Sequence, residues 1–225
     1  AAAAHGTPLR VLYGSNGGTC EALVATLVAR AAAAGWAATQ AHLDSAVDGL
    51  QAHASGPVVV VTSTYNGSPP DNASKFAAWI GEGGAGGASK AAAGVKFAVF
   101  AVGNSQWAAT FLKVGREIDA GLAAAGGERV RPLGSADADD MAAFTESWED
   151  WAASLLPELA ALYGLADSAG GDGAADPPPR AALAPAPPGA TVMSPAAVIA
   201  KWRAAEAAAA GWRDDFTQGY HALAV

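Results

Sequence analysis

At 225 residues and 52% hydrophobic composition, the chain can build one domain of ordinary size plus an appendage, since about 150 residues suffice to bury roughly 70% of the unfolded surface. A single cysteine excludes an intramolecular disulfide, and four histidines (His5, His42, His53, His221) fall without ligand spacing, so no metal centre is expected. The formal charge of -8 argues against nucleic acid, which needs clustered Lys and Arg, and favours basic protein surfaces as partners.

The opening, AAAAHGTPLR, has neither a charged n-region nor a long apolar h-region, and residues 1–7 read as a linker stub. Leu9 to Tyr13 (LRVLY) reads as a buried strand that runs into the glycine-rich turn GSNGGT. Cys20 to Ala34 follows as a helix rich in Ala, Leu and Val, with Gly35 where a C-terminal glycine belongs. A weaker strand, Ala37 to Leu43, precedes Pro57 to Thr62 (PVVVVT), which is apolar on both faces as central parallel strands are. The spacing then predicts a helix over Asn72 to Ile80, a glycine-rich connector over 81–94, a strand over Val95 to Val102 and a helix over Phe111 to Ala125. A last strand is expected over Val130 to Leu133. A long helix over Asp139 to Leu162 closes the domain, with Phe144, Trp148, Trp151, Leu155 and Leu159 recurring at spacings of three and four. Strands alternating with helices imply an α/β, doubly wound parallel sheet over residues 8–165.

Residues 166–190 change to Gly, Pro and Ala, a semi-stiff linker. Beyond it, Ser194 to Ala210 reads as a helix and Tyr220 to Val225 as the beginning of a strand, so residues 191–225 are expected to open a further, truncated domain. A chain that begins in mid-linker and stops on an apolar stretch is expected to be a piece of a longer polypeptide. No apolar run of membrane-spanning length occurs once alanine is discounted, and the single thiol suits a reducing, cytoplasmic location.

In an open parallel sheet, ligands bind beyond the carboxyl ends of the strands, so three loops converge on one rim. The first, Ser15-Asn16-Gly17-Gly18-Thr19, joins strand to helix with small residues and hydroxyls, which suits backbone N–H groups closing on a phosphate. It lacks the lysine of GxxxxGK[ST], which excludes a nucleotide-hydrolysing loop, and GxGxxG is absent too. A tight turn without a ligand is the alternative. The second loop, Thr64 to Asn72, offers Tyr65 and an Asn66-Gly67 pair whose peptide can flip because glycine tolerates positive φ. An ordinary Asn-Gly turn is the alternative there. The third, Val102 to Trp107, ends in a tryptophan placed to lie over one face of an aromatic ligand while Tyr65 covers the other, whereas Trp79, Trp148 and Trp151 read as core. No cationic side chain is expected at this rim.

With these residues in place, the chain resembles the FMN domain of diflavin reductases of the cytochrome P-450 reductase type, in particular the soluble fusions that join a haem-thiolate monooxygenase to its own reductase. The segments VLYGSNGGTCEA, TSTYNGSPPDNA, FAVGNSQWAATFLKV and SADADDMAAFTESWEDW carry the resemblance, in order, across nearly all of residues 8–165. The compact YNGxPPDN form of the second loop is similar to the fusions. The resemblance implies a flavodoxin-like five-stranded sheet of order 2-1-3-4-5 with a C-terminal linker. It implies that Ser15, Asn16, Gly17, Gly18 and Thr19 hold the FMN phosphate, with Cys20 also at the cofactor, and that Tyr65 and Trp107 sandwich the isoalloxazine. Asn66 and Gly67 then approach N5, and Gly103 and Asn104 the pyrimidine edge, with Thr64, Val102, Thr110 and Phe111 counted among the cofactor-binding residues. Gly17, Asn104 and Phe111 depart from residues common in the fusions, and no polar contact is carried over to Phe111.

The resemblance further implies electrons arriving from FAD of an NADPH-dependent domain absent from this chain and leaving singly to a haem, with no side chain in a catalytic acid-base role. Asp137, Asp139, Asp140, Glu146, Glu149 and Asp150 crowd one region, where they suit a docking haem-thiolate monooxygenase with a basic face. Charges that merely favour a helix start are the alternative. Two rival functions are a free-standing quinone oxidoreductase, against which the proline-rich tail speaks, and a flavin-free interaction module, against which Tyr65 and Trp107 speak.

Overall fold

A computed structural model of the chain describes residues 4–81 and 90–165. Most of the expected glycine-rich connector, the proline-rich linker and the segment 191–225 lie outside the described residues.

The elements are β1 (Pro8–Gly14), α1 (Thr19–Ala33), β2 (Ala37–His42), β3 (Val58–Ser63), α2 (Ser74–Gly81), β4 (Lys96–Gly103), α3 (Lys113–Ala124), β5 (Glu128–Arg129), β6 (Gly134–Asp137) and α4 (Met141–Leu162). All strand pairs are parallel and run in the order β2-β1-β3-β4-β5, with β6 on the same side of β4 as β5. This is the doubly wound sheet expected from the alternation of strands and helices. Every residue of β3 is buried, because one face of the sheet packs on α1 and α4 and the other on α2 and α3. Trp148 and Trp151 pack against Phe100 on the first face, and Trp79 lies against Phe76 on the second. Ahead of β1, Gly6 N–H donates to the Gly35 carbonyl and the His5 ring meets Trp36 edge-on. No described helix is long and apolar enough to cross a membrane.

The edge strand departs from the expectation. Val130 to Leu133 is not the last strand but the crossing between two short ones, β5 before it and β6 after it. Between the pairs Phe97↔Arg129 and Phe100↔Gly134, β4 advances three residues (97 to 100) and the edge chain five (129 to 134), so two residues are extruded from the ladder. Pro132 has no N–H to contribute there. Arg131 is drawn to α4 instead: its guanidinium donates to the Trp151 carbonyl and the Ser154 hydroxyl, both at 2.9 Å, pairs with Glu158 at 3.3 Å and lies over the Trp151 ring.

Helix starts also shift, each for a local reason. The helix expected from Phe111 begins at Lys113, because Leu112 takes a left-handed φ of 58° after a run of 3-10 turns over Ser105–Thr110. That expected from Asn72 opens as a 3-10 turn, Asp71–Ala73, before α2. Asp139 stays outside α4, whose first amides, those of Ala142 and Ala143, are capped by the Asp140 carboxylate at 3.0 Å.

Candidate functional site

The three loops leave β1, β3 and β4 at neighbouring carboxyl ends, which places them side by side on one rim of the sheet. The first begins at a glycine for a steric reason: a Cβ on Gly14 would lie 2.5 Å from Thr62 Oγ1 and 2.8 Å from Ala73 Cβ. The chain then enters α1 through Gly18 at φ 80°, with no side chain capping the helix. The first amides of α1 therefore have no intrahelical acceptor. Beside them, Ser15 Oγ and Thr19 Oγ1 are buried and have no hydrogen-bond partner among the described residues. Two orphaned hydroxyls at an uncapped helix N-terminus form a ready cradle for an anion.

The second loop is a two-residue hairpin turn. Tyr65 and Ser68 exchange N–H···O bonds at 3.0 and 2.8 Å, and Asn66 and Gly67 both take positive φ, 52° and 79°, the combination for which Asn-Gly is favoured. The Asn-Gly signal in the sequence has this turn as its structural origin. A Cβ on Gly67 would lie 2.7 Å from Thr110 Cγ2, so the turn sits close against the chain that leaves the third loop.

Side chains stitch the first two loops together. Ser15 N–H donates to Asn72 Oδ1 at 2.9 Å and Asp71 N–H to Asn16 Oδ1 at 2.8 Å, while Gly17 N–H reaches the Tyr65 hydroxyl oxygen at 3.2 Å. Tyr65 is half-buried at the junction, and burial pushes its phenol up, reinforced by the neighbouring Cys20 thiol and opposed by hydrogen bonds from Gly17, Ser63 and Asn16. The second loop is tied as firmly to α3: Val114 N–H donates to Thr64 Oγ1 at 3.1 Å, and the Lys113 ammonium to the Gly67 carbonyl at 3.3 Å. The rim thus includes a cation that sequence reasoning did not place there.

The third loop leaves no residue of Ser105–Thr110 buried, and Trp107 is 50% exposed. Asn104 Oδ1 accepts from Gln106 N–H at 2.9 Å, and Trp107 N–H donates to the Asn104 carbonyl at 3.1 Å. Phe111 lies against Gly103, where a Cβ would come within 2.9 Å of its ring.

Several expected site residues are placed so that only parts of them face the rim. Cys20 and Val102 bury their side chains in the core, and burial pushes the Cys20 thiol up to about 12, so main-chain atoms alone remain for a ligand. Thr64 spends its amide on the Val102 carbonyl and its hydroxyl on Val114. Conversely, Asn72, Lys113 and Asp137 shape the rim without having been singled out for it. Among the acids read as a docking surface, Asp137 accepts from the third loop, Asp140 caps α4 and Glu149 pairs with Arg30 at 2.8 Å.

Comparisons with known proteins bear on the family and the fold. The family description Flavodoxin matches residues 11–151. The chain is 43% identical over 147 residues to a bifunctional cytochrome P-450/NADPH–P-450 reductase of Bacillus subtilis (strain 168), which covers 65% of this chain and 13% of that protein. It is 40% identical over 174 residues to a bifunctional enzyme of the same description from Fusarium oxysporum, covering 76% of this chain and 16% of that protein. The chain therefore spans only a small part of the curated relatives' length. Among solved structures, a cysteine-to-serine mutant of a flavodoxin from Pseudomonas aeruginosa superposes with a TM-score of 0.55 at 27% identity, over 68% of this chain and 98% of that one. A short-chain flavodoxin associated with a bacterial microcompartment shares the fold at a TM-score of 0.53 and 14% identity, over 69% of this chain and 97% of that one.

Proposed function

This chain belongs to the flavodoxin family, and on that premise we propose that it takes electrons from FAD of an NADPH-dependent reductase domain and delivers them singly to a haem-thiolate monooxygenase, with FMN as its cofactor. The observation that carries the reading is the pair of buried hydroxyls, Ser15 Oγ and Thr19 Oγ1, that have no partner among the described residues, at an uncapped helix N-terminus whose loop has no lysine. That donor set fits a phosphate monoester held by neutral donors and a helix dipole. Half-exposed Trp107, on the third loop of the same rim, fits a flat ring.

When bound, FMN supplies a carrier able to take up or give up electrons one at a time. The chain's residues bind and orient it. Ser15, Thr19 and the first amides of α1 hold the phosphate; Asn16 and Asn72 keep the phosphate loop and the second loop in register. Tyr65 and Trp107 supply aromatic faces, and the Asn66-Gly67 turn sets which main-chain group meets the ring edge. Lys113, bonded to the Gly67 carbonyl and paired with Glu117 at 3.8 Å, holds that turn against α3. No proton need be moved by a side chain.

The acids between the end of β6 and the first turns of α4, Asp139 and Glu146 among them, supply a negative field that steers a basic partner surface. The relatives' descriptions as cytochrome P-450/NADPH–P-450 reductases supply the acceptor and donor classes.

Reconstitution of the purified chain with FMN, followed by stopped-flow mixing of the dithionite-reduced protein with a haem-thiolate monooxygenase, tests the proposal. The expected result is stoichiometric FMN uptake and haem reduction that slows with added salt. Failure to take up FMN would leave an interaction module, and reduction of quinones without reduction of haem would leave a quinone oxidoreductase.

A further inference from the structure

The third loop presents a problem of support. It carries Trp107, yet none of Ser105–Thr110 is buried, so apolar burial does not hold its shape. Trp107 itself sits at φ -99°, ψ 56°, outside helical values, where the 3-10 turns on either side meet at a kink. What fixes such a segment must be a small number of polar bonds at its base.

Two of those bonds converge on one atom. β6 ends at Asp137, which pairs with Gly103 at the end of β4, so the chains leaving the two strands run side by side. Oδ1 of Asp137 accepts from Ser105 N–H and from Asp139 N–H, both at 3.0 Å. Ala138 N–H returns to the Gly103 carbonyl at 2.8 Å, closing the same junction from the main chain. Further out, Gln106 Nε2 donates to Asp139 Oδ1, so the residue whose amide Asp137 orders in turn steadies the loop. A carboxylate that accepts two amides makes charge-assisted bonds, stronger than neutral ones. Its pKa is held below the ordinary aspartate range: burial alone would raise it, and the hydrogen bonds from Ser105 and Asp139 outweigh that.

We propose that Asp137 is a positioning residue for the aromatic loop, anchoring Ser105 and through it Trp107 in the place that receives the isoalloxazine, a role carried by its hydrogen bonds and separate from any part in attracting a basic partner. The consequence for the ring rests on FMN being the cofactor; the anchoring itself does not.

The distinction is testable because both bonds go to a single oxygen. In Asp137→Asn, the carboxamide Oδ1 can accept both amides while the charge is lost; in Asp137→Ala, bonds and charge are lost together. Amide hydrogen exchange of the FMN-free protein reads the anchor, and fluorescence titration with FMN reads the consequence. In Asp137→Ala, exchange at Ser105 and Asp139 is expected to accelerate at least tenfold while the amides of α1 keep their wild-type rates, and FMN affinity to fall about tenfold, which is about 1.4 kcal/mol. Asp137→Asn is expected to stay within threefold of wild type in both measurements. The proposal is overturned if Asp137→Asn is as impaired as Asp137→Ala, since charge would then be the active property, or if Asp137→Ala leaves both measurements unchanged. Should Asp137→Ala fail to fold, Asp137→Asn decides alone: retention of both properties supports the anchor, and loss of either overturns it. If the wild-type protein takes up no FMN, the functional reading falls while the exchange comparison still decides the anchoring.

Discussion

Replacing Thr19 by valine separates the two things its hydroxyl does. Thr19 is 1% exposed, and its Oγ1 is buried without a hydrogen-bond partner among the described residues. An unpaired buried hydroxyl costs about 1–3 kcal/mol, so a near-isosteric methyl group stabilises the FMN-free protein by about 1 kcal/mol or more. For a domain of this size that raises Tm by roughly 2–4 °C per kcal/mol. With FMN bound the sign reverses, because a bond from the hydroxyl to a charged phosphate is lost, at about 1.5–3 kcal/mol. FMN affinity should then fall roughly 10- to 150-fold. Thermal melts of the FMN-free variant and calorimetric titrations with FMN and riboflavin make the assay. Riboflavin has no phosphate, so its affinity should stay within about twofold of wild type. A lowered Tm without FMN, or equal losses for FMN and riboflavin, would refute the assignment of Thr19 to the phosphate.

Trp107→Ala removes a half-exposed ring, so stability should change by about 0.5 kcal/mol or less while FMN affinity drops about tenfold; unchanged affinity in a fluorescence titration would remove Trp107 from the site. In Gly134→Ala the new Cβ would press on Trp151 Nε1 and sit 2.6 Å from Phe100 Cδ2, an overpacking worth about 1–3 kcal/mol. A urea midpoint equal to that of wild type would contradict it. The pH dependence of the third loop follows from Asp137: burial alone would raise its pKa, but hydrogen bonds from Ser105 and Asp139 hold it below the ordinary range. A depressed folded-state pKa means the stabilisation is complete above the unfolded value near 3.9 and fades only as pH falls through the lower folded one. Protection factors at the Ser105 amide should therefore be flat from pH 8 to about 5, and a loss within that range would count against the anchor.

Much of the architecture was legible along the chain because it depends on local patterns. PVVVVT announces a strand buried on both faces, Asn66-Gly67 a turn with two positive φ angles, and the spacing of Phe144, Trp148, Trp151, Leu155 and Leu159 a helix with one apolar stripe. The broken edge strand was not legible, since Val130 and Leu133 suit a strand and only Arg131 reaching α4 across 20 residues shows why the ladder lapses. The kink at Leu112 escaped for the same kind of reason: leucine gives no local signal for positive φ.

The candidate site divides along the same line. Sequence by itself determined the kinds of group at the rim, namely hydroxyls and glycines in the first loop, Tyr65 and Asn-Gly in the second and Trp107 in the third, because small residues, turn formers and aromatics each signal their conformational or chemical use locally. Tertiary structure alone decided what holds those groups in place. Asn72 meets Ser15 across 57 residues, Lys113 meets Gly67 across 46 and Asp137 meets Ser105 across 32. Hydrogen bonds between such distant positions leave no periodicity in the chain; they exist because parallel strands deliver their carboxyl ends to one edge, where a polar side chain from one loop can satisfy the main chain of the next.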